Sequence, residues 1–202
     1  LIVCVKPQQM AEALASLRPS VTQRHLVISI AAGVRIRAIE ENLADGVRVV
    51  RAMRNQACLV GLSATAFSTG KNATAEDRST VEDIFSSVGR VYLVDEEMLD
   101  AVTGLSGSGP AYAYMVIEAL AEGGVKAGLT REVAIALAAQ TLLGAATMVL
   151  ETRRHPEELW KLVATPGGTT EAGMRALNEG GLKDALVRAV VEATKRSKEL
   201  SK

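Results

Sequence analysis

Strand-like and helix-like patterns alternate along this chain until about Val94 and then stop, which limits its possible folds more than any other feature. Leu1 to Val5 is a continuous apolar run closed by Lys6-Pro7, the pattern of a strand buried on both faces. Met10, Ala13, Leu14 and Leu17 then recur at helical spacing. Leu26 to Ala32 and Val47 to Met53 repeat the buried-strand pattern, with a helical stretch from Val34 to Leu43 between them. Ser63 to Ser68 and Arg90 to Val94 lie on either side of a predicted helix from Ala75 to Ser87. Strands separated by helices in this way predict a mostly parallel sheet covered on both faces.

From Asp95 onward only helical patterns remain. Glu97 to Thr103 reads as a short helix, and Gly109-Pro110 opens a longer one through Gly123. Thr130 is a good N-cap for a helix reaching about Arg153. Pro156 with Glu157 and Glu158 marks another helix start, since proline there loses no intrahelical bond and the acids meet the positive dipole end. Helices from Thr169 and from Leu182 to Lys198 complete the chain. The expected division is an α/β domain over residues 1–94 and an all-α domain over residues 95–202. Val133 to Leu150 carries no charge over about a membrane span's length. Its alanines, Gln140, Thr141, Gly144 and Thr147 favour a helix buried against other helices. So much apolar helix in one half predicts that a second copy of the chain completes the core, giving a homodimer through the C-terminal helices.

The 202 residues include 23 basic and 23 acidic side chains, so no net charge points to nucleic acid or an anionic membrane. Aromatics, at 3%, leave little material for stacking bases. Cys4 and Cys58 are isolated, and His25 and His155 lie far apart, so neither a disulfide framework nor a metal site is readable. No charged segment followed by an apolar one opens the chain, and the expected location is the cytoplasm. Leu1 stands where a natural start would carry methionine, which leads us to expect further residues upstream.

Two glycine-rich segments and three strand ends are candidates for chemistry. Thr165-Pro166-Gly167-Gly168-Thr169-Thr170 precedes a helix, so its backbone N–H groups and the helix start can cradle an anion, with a carboxylate favoured over a phosphate. The alternative is a plain glycine-rich helix start. Thr103-Gly104-Leu105-Ser106-Gly107-Ser108-Gly109-Pro110 places hydroxyls among glycines; it is either a ligand-contacting segment or a flexible connection. Val5-Lys6-Pro7, Ala31-Ala32-Gly33 and Met53-Arg54-Asn55 each follow a predicted parallel strand, where ligands of open α/β sheets bind. No GxGxxG occurs, so the pyrophosphate loop of any dinucleotide site lies outside these residues. Nothing supports nucleophilic catalysis by a Ser-His-Asp set.

Taken together, Val5-Lys6-Pro7, Ile30 to Val34, the run from Asp100 to Tyr112 and the Thr165 to Thr170 loop resemble pyrroline-5-carboxylate reductase over nearly the whole chain. The resemblance implies a Rossmann-type NADPH- or NADH-binding domain, of which residues 1–94 are a part. It also implies a helical dimerisation and substrate-binding domain over residues 95–202. The implied reaction is reduction of the C=N bond of 1-pyrroline-5-carboxylate to give L-proline. By the resemblance, Gly167, Gly168 and Thr169 hold the substrate carboxylate, Thr170 orients the ring nitrogen, and Thr103 relays a proton to it. Glu97 matches a position that approaches the substrate. Val5, Lys6, Pro7, Ala31, Ala32 and Asn55 match the cofactor side.

The chain departs from the family at Met53-Arg54-Asn55-Gln56-Ala57, where Met-Pro-Asn-Thr-Pro is usual. Loss of both prolines is expected to free this loop, and loss of the threonine removes a hydroxyl near the nicotinamide. A strand–helix–strand unit and its following helix, about 60 residues, are expected before Leu1. Two other readings stay open: a related imine or hydroxyacid reductase, and a non-catalytic helical oligomerisation module.

Overall fold

A computed structural model describes residues 1–200 and divides the chain into two compact units. One comprises Leu1–Pro110 with Arg188–Lys202, the other Ala111–Val187.

In the first unit the described strands form one sheet in the order of the sequence: β1 (Ile2–Val3), β2 (Leu26–Ser29), β3 (Arg48–Met53), β4 (Ser63–Thr69) and β5 (Gly89–Leu93). β1, β2 and β3 run parallel, as do β4 and β5, but β3 and β4 are antiparallel, with Val50 opposite Thr69 and Met53 opposite Ala66. The reversal has a local cause. Only a 3-10 turn over Gln56–Val60 links β3 to β4, whereas a parallel return needs a crossover of a dozen or more residues.

Alternate residues of the strands feed two cores. Val27 and Val49 pack with Met10 and Leu14 of α1 (Met10–Leu17) and with Ile36 and Ile39 of α2 (Ile36–Asn42). Ile28, Val50, Ala52 and Phe67 pack on the other face with Val81 and Phe85 of α3 (Ala75–Ser86). The sequence specifies where α3 starts. Thr74 Oγ1 accepts the Asp77 N–H at 3.2 Å, and Asp77 returns the bond to the Thr74 N–H at 2.8 Å. Arg48 at the start of β3 donates to that same Asp77 at 2.7 Å, tying helix to sheet.

After β5 come a 3-10 turn at Glu96–Met98 and α4 (Leu99–Val102). A π-helical turn over Thr103–Gly107 follows and runs into α5 (Gly109–Lys126). The glycine-rich segment is therefore helical instead of a flexible connection. Its glycines serve packing: a Cβ on Gly104 would overlap the Thr194 hydroxyl and lie 2.7 Å from the Val190 carbonyl oxygen. A Cβ on Gly107 would meet the Met53 Cε at 2.5 Å. Val190 and Thr194 belong to α9 (Leu182–Leu200), so Gly104 is where that helix seats against the π turn.

The second unit is built on α5, α6 (Arg131–Thr152), α7 (Pro156–Val163) and α8 (Thr169–Glu179). Thr130 caps α6 through the Val133 N–H at 3.4 Å, and Ala134 and Ala138 pack against Ala121 with Ile117 beside them. Most of α6 stays uncovered: Leu137, Leu143 and Met148 are about half exposed. Met115 of α5 and Leu162 and Val163 of α7 add to this apolar surface. By length and composition alone α6 is long and apolar enough to cross a membrane.

Candidate active site

Because β1, β2 and β3 are parallel neighbours, their carboxyl ends fall along one edge of the sheet. That edge brings together the segments at Val5–Pro7, Ala31–Gly33 and Arg54–Asn55, which are far apart in the sequence. Val5 is half-buried, while Lys6 and Pro7 are exposed and lead into a 3-10 turn. The side chain of Ala31 lies in the core with Val3 and Met10, so only its backbone faces the edge. Ala32 and Asn55 are half-buried there. Small, partly covered positions of this kind suit close approach by a flat ring.

The Arg54–Ala57 departure does not leave a free loop. Asn55 Oδ1 accepts the Ala57 N–H at 3.1 Å, and the Asn55 N–H donates to Ser63 Oγ at 3.3 Å. Gly61, at φ +73°, closes the turn in the left-handed region. A side-chain cap and a glycine thus replace the rigidity that proline would supply.

Glu97 is exposed in the turn before α4 and lines an open polar cavity of about 670 Å³ with Ser68, Thr69 and Arg78. Thr103 is half-buried at the start of the π turn, and its hydroxyl donates to the Leu99 carbonyl at 2.8 Å. To relay a proton it must first release that carbonyl. Ser106 donates likewise to the Val102 carbonyl at 3.1 Å.

In the second unit, the loop before α8 turns through Gly167 at φ +72°. The Gly168 N–H donates to the Thr165 carbonyl at 2.9 Å, and the Gly167 N–H donates to Glu171 Oε2 at 2.6 Å. Both glycine N–H groups are thus occupied within the loop. The N–H groups of Thr169, Thr170 and Glu171, in the first turn of α8, find no acceptor among the described residues. The donors available to an anion therefore sit slightly further along the chain than the sequence pattern suggests: Gly167 and Gly168 shape the cradle, and Thr169 and Thr170 supply it. Thr170 is half-buried, with no hydrogen bond to its hydroxyl among the described residues. Glu171→Ala removes the acceptor that pins Gly167. We expect it to cost about 1 kcal/mol of stability and to raise the KM for an anionic substrate, read by urea unfolding and steady-state kinetics.

Sequence reasoning did not single out a buried ion cluster in the first unit. Arg51, 2% exposed in the middle of β3, donates to Glu96 at 3.2 Å and lies 3.9 Å from Asp100. A charged residue inside the apolar run Val49-Val50-Arg51-Ala52-Met53 was the available signal, because a charge buried there needs a partner.

Three comparisons place this geometry among known proteins. The family described as pyrroline-5-carboxylate reductase dimerisation matches residues 96–200. Pyrroline-5-carboxylate reductase of Methanosarcina acetivorans is 50% identical over 202 residues, all of this chain and 75% of that protein. This chain belongs to the pyrroline-5-carboxylate reductase family. A pyrroline-5-carboxylate reductase from Coxiella burnetii superposes with a TM-score of 0.93 at 39% identity, over 100% of this chain and 75% of that one. The Plasmodium falciparum pyrroline carboxylate reductase, solved with NADP bound, gives a TM-score of 0.91 at 34% identity, over 100% of this chain and 81% of that one. As a pyrroline-5-carboxylate reductase the protein is an oxidoreductase of proline biosynthesis, its family works with a nicotinamide cofactor, and its helical part is a dimerisation domain.

Proposed function

We propose that NADPH or NADH lies along the carboxyl edge of β1–β3, against Val5, Lys6, Pro7, the Ala31 backbone, Ala32 and Asn55. The substrate, 1-pyrroline-5-carboxylate, is held at the start of α8. On this reading residues 1–94 serve the cofactor, and residues 95–202 serve dimerisation and the substrate. The reading rests on the cradle of N–H groups at Thr169 and Thr170, unpaired among the described residues and shaped by the Gly167 and Gly168 turn. It suits a carboxylate, since the N–H groups and the helix dipole both favour negative charge.

When bound, the nicotinamide supplies a hydride to the imine carbon. The chain supplies orientation and a proton. The Thr169 and Thr170 N–H groups grip the carboxylate, and the Thr170 hydroxyl aligns the ring nitrogen. That nitrogen must gain a proton as the C=N bond is reduced, and the Thr103 hydroxyl, after leaving the Leu99 carbonyl, relays it from solvent by taking one proton as it gives up its own. Glu97 lies on the approach. Kinetics of the full gene product test this: Asn55→Ala should raise the KM for NADPH and leave that for pyrroline-5-carboxylate unchanged. A substrate panel should show preference for the five-membered cyclic imine. Equal turnover of open-chain imines or 2-keto acids would instead support a broader imine or hydroxyacid reductase.

The exposed apolar faces of α5, α6 and α7 suit burial against a second copy, as the dimerisation match implies. Light scattering at micromolar concentration should report a dimer, and a monomer would count against this use of the helices.

A further inference from the structure

We propose that Arg51, with Glu96, Asp100 and Arg35, forms a positioning cluster that sets the spacing between the cofactor-side sheet edge and the helical segment carrying Thr103. The proposal rests on the site reading above. Arg51 is in β3, two residues before Met53 and four before Asn55. Arg35 follows the Ala31-Ala32-Gly33 segment directly after Val34. The two carboxylates come from the other side: Glu96 is in the turn before α4, and Asp100 is in α4, three residues before Thr103.

The Arg35–Asp100, Arg51–Glu96 and Arg51–Asp100 pairs each cross between these two groups of segments. Arg35 Nη2 donates to Asp100 Oδ2 at 3.0 Å, and Arg51 Nη1 donates to Glu96 Oε1 at 3.2 Å. Glu96 Oε1 also accepts the Ile36 N–H at 2.7 Å, holding the first turn of α2. Asp100 Oδ1 accepts the Ser197 hydroxyl at 2.7 Å, so α9 is attached at the same point. Asp100 is fully buried, Arg51 is 2% exposed and Ser197 5% exposed.

Two guanidinium groups face two carboxylates, and the buried pair Arg51 and Asp100 is flanked by the more exposed Arg35 and Glu96, so the buried charges are compensated. An apolar contact can slide; a planar guanidinium reaching two carboxylates has one favoured geometry. The cluster therefore acts as a spacer of fixed length. Reacting atoms must approach within about 3–3.5 Å, and a displacement of about 1 Å costs roughly 100-fold in rate. Arg51 and Asp100 meet neither reactant directly on this reading; they act through the segments they join.

The test uses Arg51→Lys and Asp100→Asn in the full gene product, with NADPH deuterated at the transferred position. Lysine keeps the charge but reaches only one carboxylate, and asparagine keeps the shape. We expect kcat per folded enzyme to fall by about 100-fold, with both KM values within about threefold of wild type and an increased primary isotope effect on kcat. Ser197→Ala, which removes only the outer hydrogen bond, should show the same changes in weaker form. If kcat per folded enzyme and the isotope effect both stay at wild-type values, the cluster is structural only and the proposal is overturned. Thr103→Ala and Asn55→Ala with wild-type kinetics would instead overturn the underlying site reading, independently of the Arg51 result.

Discussion

Replacing Gly104 with alanine is expected to destabilise the fold by about 3 kcal/mol, because the added methyl has nowhere to go. It would overlap the Thr194 hydroxyl, and it would lie 2.7 Å from the Val190 carbonyl oxygen and 2.8 Å from the Thr194 nitrogen. The last two are backbone atoms of α9, so relief requires moving the helix, and Ser197 of that helix is bonded to the buried Asp100. In an ordinary helix the same exchange would help, since alanine is favoured over glycine by about 1 kcal/mol. Gly173 is the matched control: it is exposed in α8, and a Cβ added there would meet nothing within 4 Å among the described residues. Urea unfolding should show Gly104→Ala shifted to a lower midpoint and Gly173→Ala unchanged or shifted upward. Equal midpoints for Gly104→Ala and wild type would mean that α9 is free to shift off the π turn.

Thr170→Ala should lower kcat/KM for pyrroline-5-carboxylate by about 100-fold while leaving the KM for NADPH unchanged. The hydroxyl is half-buried beside the free N–H groups of α8 and is not engaged with any other described residue, so it is available to a ligand. Substitution removes the group that aligns the ring nitrogen, and alignment of the imine is what the chain contributes to a hydride transfer. Thr170→Ser keeps the oxygen and should restore most of the rate. Stability should hardly change, because Gly168 is the N-cap of α8 and the helix start remains intact. Wild-type kinetics in Thr170→Ala would remove the residue from the proposed site.

Much of the fold was legible in the sequence because apolar periodicity is local. The five strands and the long helices lie within a few residues of where the spacing of Val27, Val49, Phe67, Leu137 and their neighbours puts them. The mostly parallel sheet was also legible; the direction of β4 within it was not, because it depends on the length and shape of the Gln56–Val60 connection. The Thr103–Gly107 segment reads as loop-like in the sequence because glycine has low helix propensity. Here close approach by α9 demands glycine and overrides that propensity. The Gly167-Gly168-Thr169-Thr170 motif was legible as an anion cradle in outline. Which N–H groups stay free was hidden, because it depends on where the Glu171 side chain turns.

The sequence by itself determined the α/β-then-α order, the helix starts at Ala75, Thr130 and Pro156, and the motifs that mark the family. All of these depend on residues close together along the chain, where steric and hydrogen-bonding preferences act directly. Only the tertiary structure decided what Arg51 does. Its partners Glu96 and Asp100 lie more than forty residues away in the sequence, and a buried guanidinium is tolerated only where folding brings carboxylates to it.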